Sequence, residues 1–169
     1  MKSSARILFV CLGNICRSPM AEAVMRNLVN AEGLSNRIEI DSAGTGDWHL
    51  GHPPHEGTRK VLDEHGISYE GMKSRLVEHA DFETFQYVVC MDTKNLRDVK
   101  ELFLKAIADN GLIEAHSAQV LTFMELSPQR GIVDVPDPYY EGNFPYVFEL
   151  VEEGCKALLK QIKADLALD

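Results

Sequence analysis

The feature that most limits how this chain can fold is an uninterrupted apolar run, Ile7, Leu8, Phe9 and Val10. It leads straight into Cys11-Leu12-Gly13-Asn14-Ile15-Cys16-Arg17-Ser18-Pro19. A short apolar run without alternation fits a strand buried on both faces, as in a parallel sheet. Beyond the loop, Met20, Ala23, Val24, Leu28 and Val29 recur at helical spacing. Ser18 is expected to cap that helix, with Pro19 in its first turn. The unit reads as strand, tight loop, helix.

The rest of the chain repeats the pattern. Further strands are expected at residues 38–40, 87–91 and 120–123. Helices are expected at 58–65, ended by Gly66, from 92 or 93 through 103, and at 144–166. Such alternation implies an α/β fold, a three-layer sandwich whose four-stranded parallel sheet is flanked by helices, with the loop between the first strand and first helix. Ligands of such sheets bind at the carboxyl ends of the strands, and Cys11, Ser42 and Asp92 fall at three of them. With 169 residues, one domain spanning 1–169 is expected. No apolar run reaches membrane-spanning length, and residues 7–12 are too few for a secretory signal, so a cytoplasmic location without membrane insertion is expected.

The loop itself suggests chemistry. At a strand-to-helix junction the free N–H groups of the helix start and of the curled backbone converge on one point and attract an anion. Leu12, Gly13, Asn14, Ile15, Cys16 and Ser18 are thereby candidate phosphate-binding residues, and Gly13 and Asn14 both tolerate left-handed backbone angles. Arg17 adds a planar fork that matches two phosphate oxygens. The same dipoles favour the thiolate of Cys11, a nucleophile facing a bound phosphate, and Ser18 is placed to hydrogen-bond its sulfur. A cysteine alone at a strand end is more often a small buried hydrophobe; the fixed offsets of Gly13, Asn14, Arg17 and Ser18 decide against that here. A Walker loop is excluded because no Gly-Lys-Ser/Thr follows the glycine.

Displacement at phosphorus also needs a proton for the leaving oxygen. In Asp134-Val135-Pro136-Asp137-Pro138-Tyr139-Tyr140 two prolines stiffen the backbone around Asp137, which suits a general acid that must be held in place. An exposed Asx-Pro turn is the competing reading. Tyr139 and Tyr140 beside it could wall a pocket for a flat, aromatic leaving group.

Together, Cys11-x5-Arg17-Ser18 within VCLGNICRSPMAE, the stretch Asp41-Ser42-Ala43-Gly44-Thr45 and the late Asp137-Pro138-Tyr139-Tyr140 resemble the low molecular weight protein tyrosine phosphatases over nearly the whole chain. The resemblance implies metal-independent, cofactor-free hydrolysis of phosphotyrosine on proteins through a cysteinyl-phosphate, with inorganic phosphate as product. Cys11 would be the nucleophile, Arg17 the phosphate and transition-state ligand, and Asp137 the general acid, then general base. Asn14 would hold the loop with help from Ser42, and Trp48 would line the entrance. A monomer or weak dimer acting on tyrosine-phosphorylated proteins is expected. The chain departs from the family pattern at Met72, where many members have a histidine behind the loop, so Ser18 and Glu22 are expected to find other partners. His55-Glu56-Gly57 stands where Asp-Pro-Arg is frequent, and an insertion relative to shorter members is expected between Lys105 and Leu121.

Cys16 adjoins Arg17, and a reversible disulfide with Cys11 is expected after mild oxidation, against the alternative of a core-facing cysteine. The formal charge of −9 argues against nucleic acid or anionic membranes as partners. His49, His52 and His55 lack a carboxylate or cysteine at metal-ligand spacing and read as a polar loop rather than a metal site. A thioredoxin-linked arsenate reductase would need two further cysteines near the third strand, where only Cys90 stands. Phosphoarginine hydrolysis is chemically closer, but Ile15 offers an apolar wall that suits an aromatic ring better than a guanidinium. A phosphotyrosine-binding module without turnover would have lost Cys11 or Asp137, and both are present.

Overall fold

The computed structural model describes residues 4–110 and 118–168. The apolar run becomes β1, Ala5–Cys11, and it is joined by β2 (Ile38–Gly44), β3 (Tyr87–Cys90) and β4 (Gln119–Thr122). All pairings are parallel and the spatial order is β2-β1-β3-β4. The chain therefore leaves β1 toward one side for β2 and returns to the other side for β3. That reversal opens a crevice at the carboxyl end of β1, where Cys11 lies.

Helices α1 (Arg17–Ala31), α2 (Glu56–Glu64), α3 (Asp81–Thr84), α4 (Thr93–Asn110), α5 (Pro138–Glu141) and α6 (Phe144–Asp165), with short 3-10 turns at Phe123–Leu126 and Pro128–Arg130, make up the rest of the described elements. Successive side chains of β1 point to opposite faces and feed two cores. Ile7 and Phe9 join Met20 and Met25 of α1, Leu62 of α2 and Val147, Leu150 and Leu158 of α6. Leu8 and Val10 join Phe82 of α3 and Val99 of α4 on the other face. Each fully buried side chain of this size contributes roughly 1.5–3 kcal/mol. The three layers expected from the sequence are the sheet and the helices over each of its faces, with these two cores between them.

Several boundaries shift, each for a local reason. β2 continues past residue 40 because Asp41, Ser42, Ala43 and Gly44 stay in register with Leu8, Phe9, Val10 and Cys11. The polar side chains here serve tertiary contacts, Asp41 with Arg75 and Ser42 with Asn14, rather than marking an end to pairing. α2 starts at Glu56, two residues early, because His55 caps it. Ser18 is not the cap of α1. That position is Cys16, with no side-chain bond, and the Ser18 hydroxyl is engaged elsewhere. The centre of the expected insertion, residues 111–117, lies outside the described residues.

The outer edge of β2 is not bare. The Arg26 guanidinium donates to the Ile40 carbonyl at 2.9 Å, and the segment after Ser74 pairs with Gly44 through Gly44 N–H to Arg75 O and Val77 N–H to Gly44 O.

Candidate active site

The backbone between β1 and α1 is fixed from three sides. Asn14 adopts a left-handed φ of 55°. Its strain is held by its own side chain, whose Oδ1 accepts the Arg75 N–H at 3.0 Å. From β2, Gly44 lies so close that a Cβ there would come within 2.8 Å of the Leu12 carbonyl, so only glycine fits beneath the loop. From α2, the His55 N–H donates to Ile15 O at 2.7 Å and the Thr58 hydroxyl to Cys16 O at 3.0 Å. A peptide's C=O and N–H point in opposite directions, so holding these two carbonyls back aims the Cys16 and Arg17 N–H groups the other way. Gly13 departs from expectation. It has no positive φ, and what a side chain there would meet is the ring of His49, 3.0 Å from an added Cβ.

The polarity of the side chains behind the loop follows from that one backbone bond. With Oδ1 of Asn14 accepting from Arg75, its Nδ2 must donate, and it does so to Ser18 Oγ at 2.8 Å and Ser42 Oγ at 2.9 Å. Ser42 passes its own proton to Glu22 Oε1 at 2.6 Å. Ser18, already accepting from Asn14, is left with a hydroxyl proton to donate to Cys11 Sγ, 3.0 Å away. Burial pushes the Glu22 carboxyl up, opposed by the Ser42 hydrogen bond and by Arg26, which lies 2.6 Å from its other oxygen. Met72, buried against Asn14 and Ser42, contributes no polar group. The partners that the missing histidine would have supplied are Cys11 and Asn14 for Ser18, and Ser42 and Arg26 for Glu22.

Arg17 is 2 % exposed and its guanidinium is divided in use. Nη1 donates to Asp92 Oδ2 at 2.7 Å and to Val135 O at 2.9 Å. Nη2 meets Asp137 Oδ2 at 3.5 Å, and buried Nε has no hydrogen-bond partner among the described residues. The Nε–Nη2 edge is therefore the one left to grip two oxygens of a tetrahedral anion. Burial works against the charge of Arg17, but Cys11, Asp137 and Asp92 outweigh it and strengthen the charged form. Asp137 caps α5, accepting the Tyr139 N–H at 3.1 Å, so the short helix aims its carboxylate.

These groups share one cleft of about 260 Å³, lined by Cys11, Leu12, Gly13, Ile15, Cys16, Arg17, Trp48, His49, Asp137, Tyr139 and Tyr140. It has room for an aryl phosphate and little more. Of the residues singled out in the sequence, Asn14, Ser18 and Ser42 stand behind the loop rather than in the cleft. The histidines 49, 52 and 55 are engaged as rings. His49 lies 5.7 Å from His52 and 5.9 Å from Tyr139, and His55 lies between Tyr139 and Phe144. Cys11 and Cys16 are both free, and burial, with Cys11 and Asp137 adding to it, pushes the Cys16 thiol up. Asp92 was legible as a strand-end residue, but its grip on Arg17 was not. Arg75 and Thr58 carried no motif that would have revealed them.

The family model for low molecular weight phosphotyrosine protein phosphatases matches residues 6–168. The chain is 45% identical over 162 residues to low molecular weight protein-tyrosine-phosphatase YfkJ of Bacillus subtilis, covering 96% of this chain and 98% of that one. It is 43% identical to PtpA of Staphylococcus epidermidis, named likewise, covering 96% of each. The crystal structure of YfkJ superposes with a TM-score of 0.86 at 42% identity, covering 96% of this chain and 97% of that chain. A cysteine and an arginine on one loop after β1, facing an aspartate from a distant turn, thus occur in a chain that belongs to the low molecular weight phosphotyrosine protein phosphatase family.

Proposed function

We propose that the chain, as one phosphatase domain spanning residues 1–169, hydrolyses phosphotyrosine on proteins without a metal or other cofactor. The observation that carries this is the Arg17 edge. Nη1 is committed to Asp92 and Val135, while Nε is left without a partner among the described residues and Nη2 meets Asp137, on an arginine that lines the cleft with Cys11 and Asp137. A bound phosphate takes over that edge from Asp137, freeing the carboxyl to face the leaving oxygen.

In the first step Cys11 Sγ attacks phosphorus in line, the S–P bond forms as the P–O bond to the phenol breaks, and Asp137 gives its proton to the leaving oxygen. Arg17 and the loop N–H groups hold the equatorial oxygens as their charge grows. Ser18 stabilises the sulfur as leaving group through its donated hydrogen bond. In the second step Asp137 takes a proton from water, the oxygen attacks phosphorus, the S–P bond breaks, and inorganic phosphate departs. The first step thus needs Cys11 as the thiolate and Asp137 as the acid at the same time.

The wall of Ile15, with Trp48, Tyr139 and Tyr140 at the mouth, supports an aromatic leaving group over a guanidinium. Hydrolysis of phosphotyrosine, phosphoserine and phosphoarginine peptides in the presence of chelator, by the parent and Cys11→Ser, tests the reading. Phosphotyrosine turnover lost in Cys11→Ser is expected. Turnover that survives Cys11→Ser, or a preference for phosphoarginine, would overturn it. The adjoining Cys16 supports a protective disulfide after peroxide, with recovery by dithiothreitol expected in the parent and lost in Cys16→Ser.

A further inference from the structure

His55 occupies a junction that the chemistry above does not use. Its N–H holds the Ile15 carbonyl of the catalytic loop at 2.7 Å. Its ring accepts the Gly57 N–H on Nδ1 at 3.0 Å, capping α2, whose Thr58 holds the next loop carbonyl, that of Cys16. On one side the ring stacks on Phe144 at the start of α6, 5.2 Å between centroids and 15° between planes. On the other it meets Tyr139 edge-on at 5.7 Å, and the Tyr139 N–H is the group that Asp137 accepts. Phe144 also explains Gly57, where an added Cβ would lie 2.3 Å from the Phe144 ring. One residue therefore holds the catalytic loop through its backbone N–H and meets the acid turn and α6 through its ring.

The tautomer is dictated by its partner. A backbone N–H can only donate, so Nδ1 must carry no proton and any ring proton sits on Nε2. An imidazolium would set one donor against another and lose the cap. Around the ring, the titratable or charged groups are Tyr139 from the acid turn, Asp137 beyond its bond to Tyr139, and His49 on the far side of Tyr139. Glu56 and Arg59 are the charged residues next along the first turn of α2, while Ile15 and Phe144 bring no charge.

We propose that His55 is a proton-sensitive positioning residue, which in its neutral form ties the catalytic loop and the Asp137 turn to the start of α2 and on protonation lets them loosen. It rests on the phosphatase reading only for its activity readout.

The test uses His55→Asn, because asparagine can accept the Gly57 N–H at any pH. The ratio of kcat/KM for an aryl phosphate, variant over parent, cancels the ionisations both share. It is expected to lie below one at about pH 7.5, where asparagine keeps the cap but loses the ring contacts with Tyr139 and Phe144, and to rise roughly three- to tenfold by about pH 5.5. His55→Ala, which has no cap, should be slower than the parent at about pH 7.5 and rescued by His55→Asn. A flat ratio would overturn the proposal. Should the variant not fold, nitrogen-15 NMR of the parent decides. A bare Nδ1 at neutral pH, with the Gly57 amide shifting in step with ring protonation, supports the proposal; a protonated Nδ1 or an unmoved Gly57 amide overturns it. That NMR result stands even if Cys11→Ser retains activity and the phosphatase reading fails.

Discussion

The two sides of the cleft are built differently. The catalytic loop side is sealed, with Asn14, Arg17 and Ser18 at most 3 % exposed and their hydrogen bonds interlocked with β2, α2 and the Arg75 segment. The rim side is open, with Trp48 67 % exposed and Tyr140 75 % exposed. The sealed side fixes where charge and proton go, since buried polar groups carry a heavy penalty for any other arrangement. The open side offers apolar area that can yield to different partners. On the proposed reading, chemistry falls to the buried, hydrogen-bonded side and choice of substrate to the exposed one.

The largest test of that contrast is Cys11→Ser, which should lower kcat by about 10⁵-fold or more while phosphate still protects the fold against heat. Retained turnover would mean the sealed side is not the reacting side. Asp137→Asn should cost about 10²–10⁴-fold in kcat for phenols that leave poorly, and less for those that leave well. An equal loss for both would show that Asp137 does not supply the proton.

Glu22→Gln tests how far the sealed side extends. Exchanging the charged acceptor of the Ser42 hydroxyl for a neutral amide oxygen, and losing the ion pair with Arg26, should slow turnover roughly three- to tenfold. It should also change how stability depends on pH. Burial raises the folded carboxyl above its unfolded value, so the folded state binds this proton more tightly and the parent loses stability as pH rises from about 4.5 through the folded value. The variant lacks that slope, and urea unfolding at a series of pH values should show it; parallel profiles would remove Glu22 from the argument. Smallest of all, Trp48→Ala and Tyr140→Ala should raise KM a few-fold, leave kcat unchanged, and move stability by less than about 0.5 kcal/mol. A large kcat effect would erase the division between the two sides.

Much of this was legible in the chain because local rules and chemistry coincide. The run of Ile7, Leu8, Phe9 and Val10 gave the strand, and the offsets between Cys11 and Ser18 gave the loop. What stayed hidden is non-local. Nothing near Asp92 shows that it grips Arg17, 75 positions away, nor does anything near Arg75 show that its N–H orients Asn14, 61 positions away. The continuation of β2 through Asp41 and Ser42 was masked because Asp41 pairs with Arg75 and Ser42 with Asn14, both distant in sequence, so their polarity reads as a strand end. His55 looked like part of a polar turn because a cap made by an imidazole leaves no compositional mark.

The covering of the outer β2 edge carries a cost for anyone altering the site. Arg26 shields the Ile40 carbonyl while steadying Glu22, and the Arg75 segment that pairs with Gly44 also orients Asn14. An uncovered strand edge recruits strands from other molecules. Lesions at Arg26 or Arg75 should therefore surface as insolubility in the producing cell before any fall in turnover can be measured.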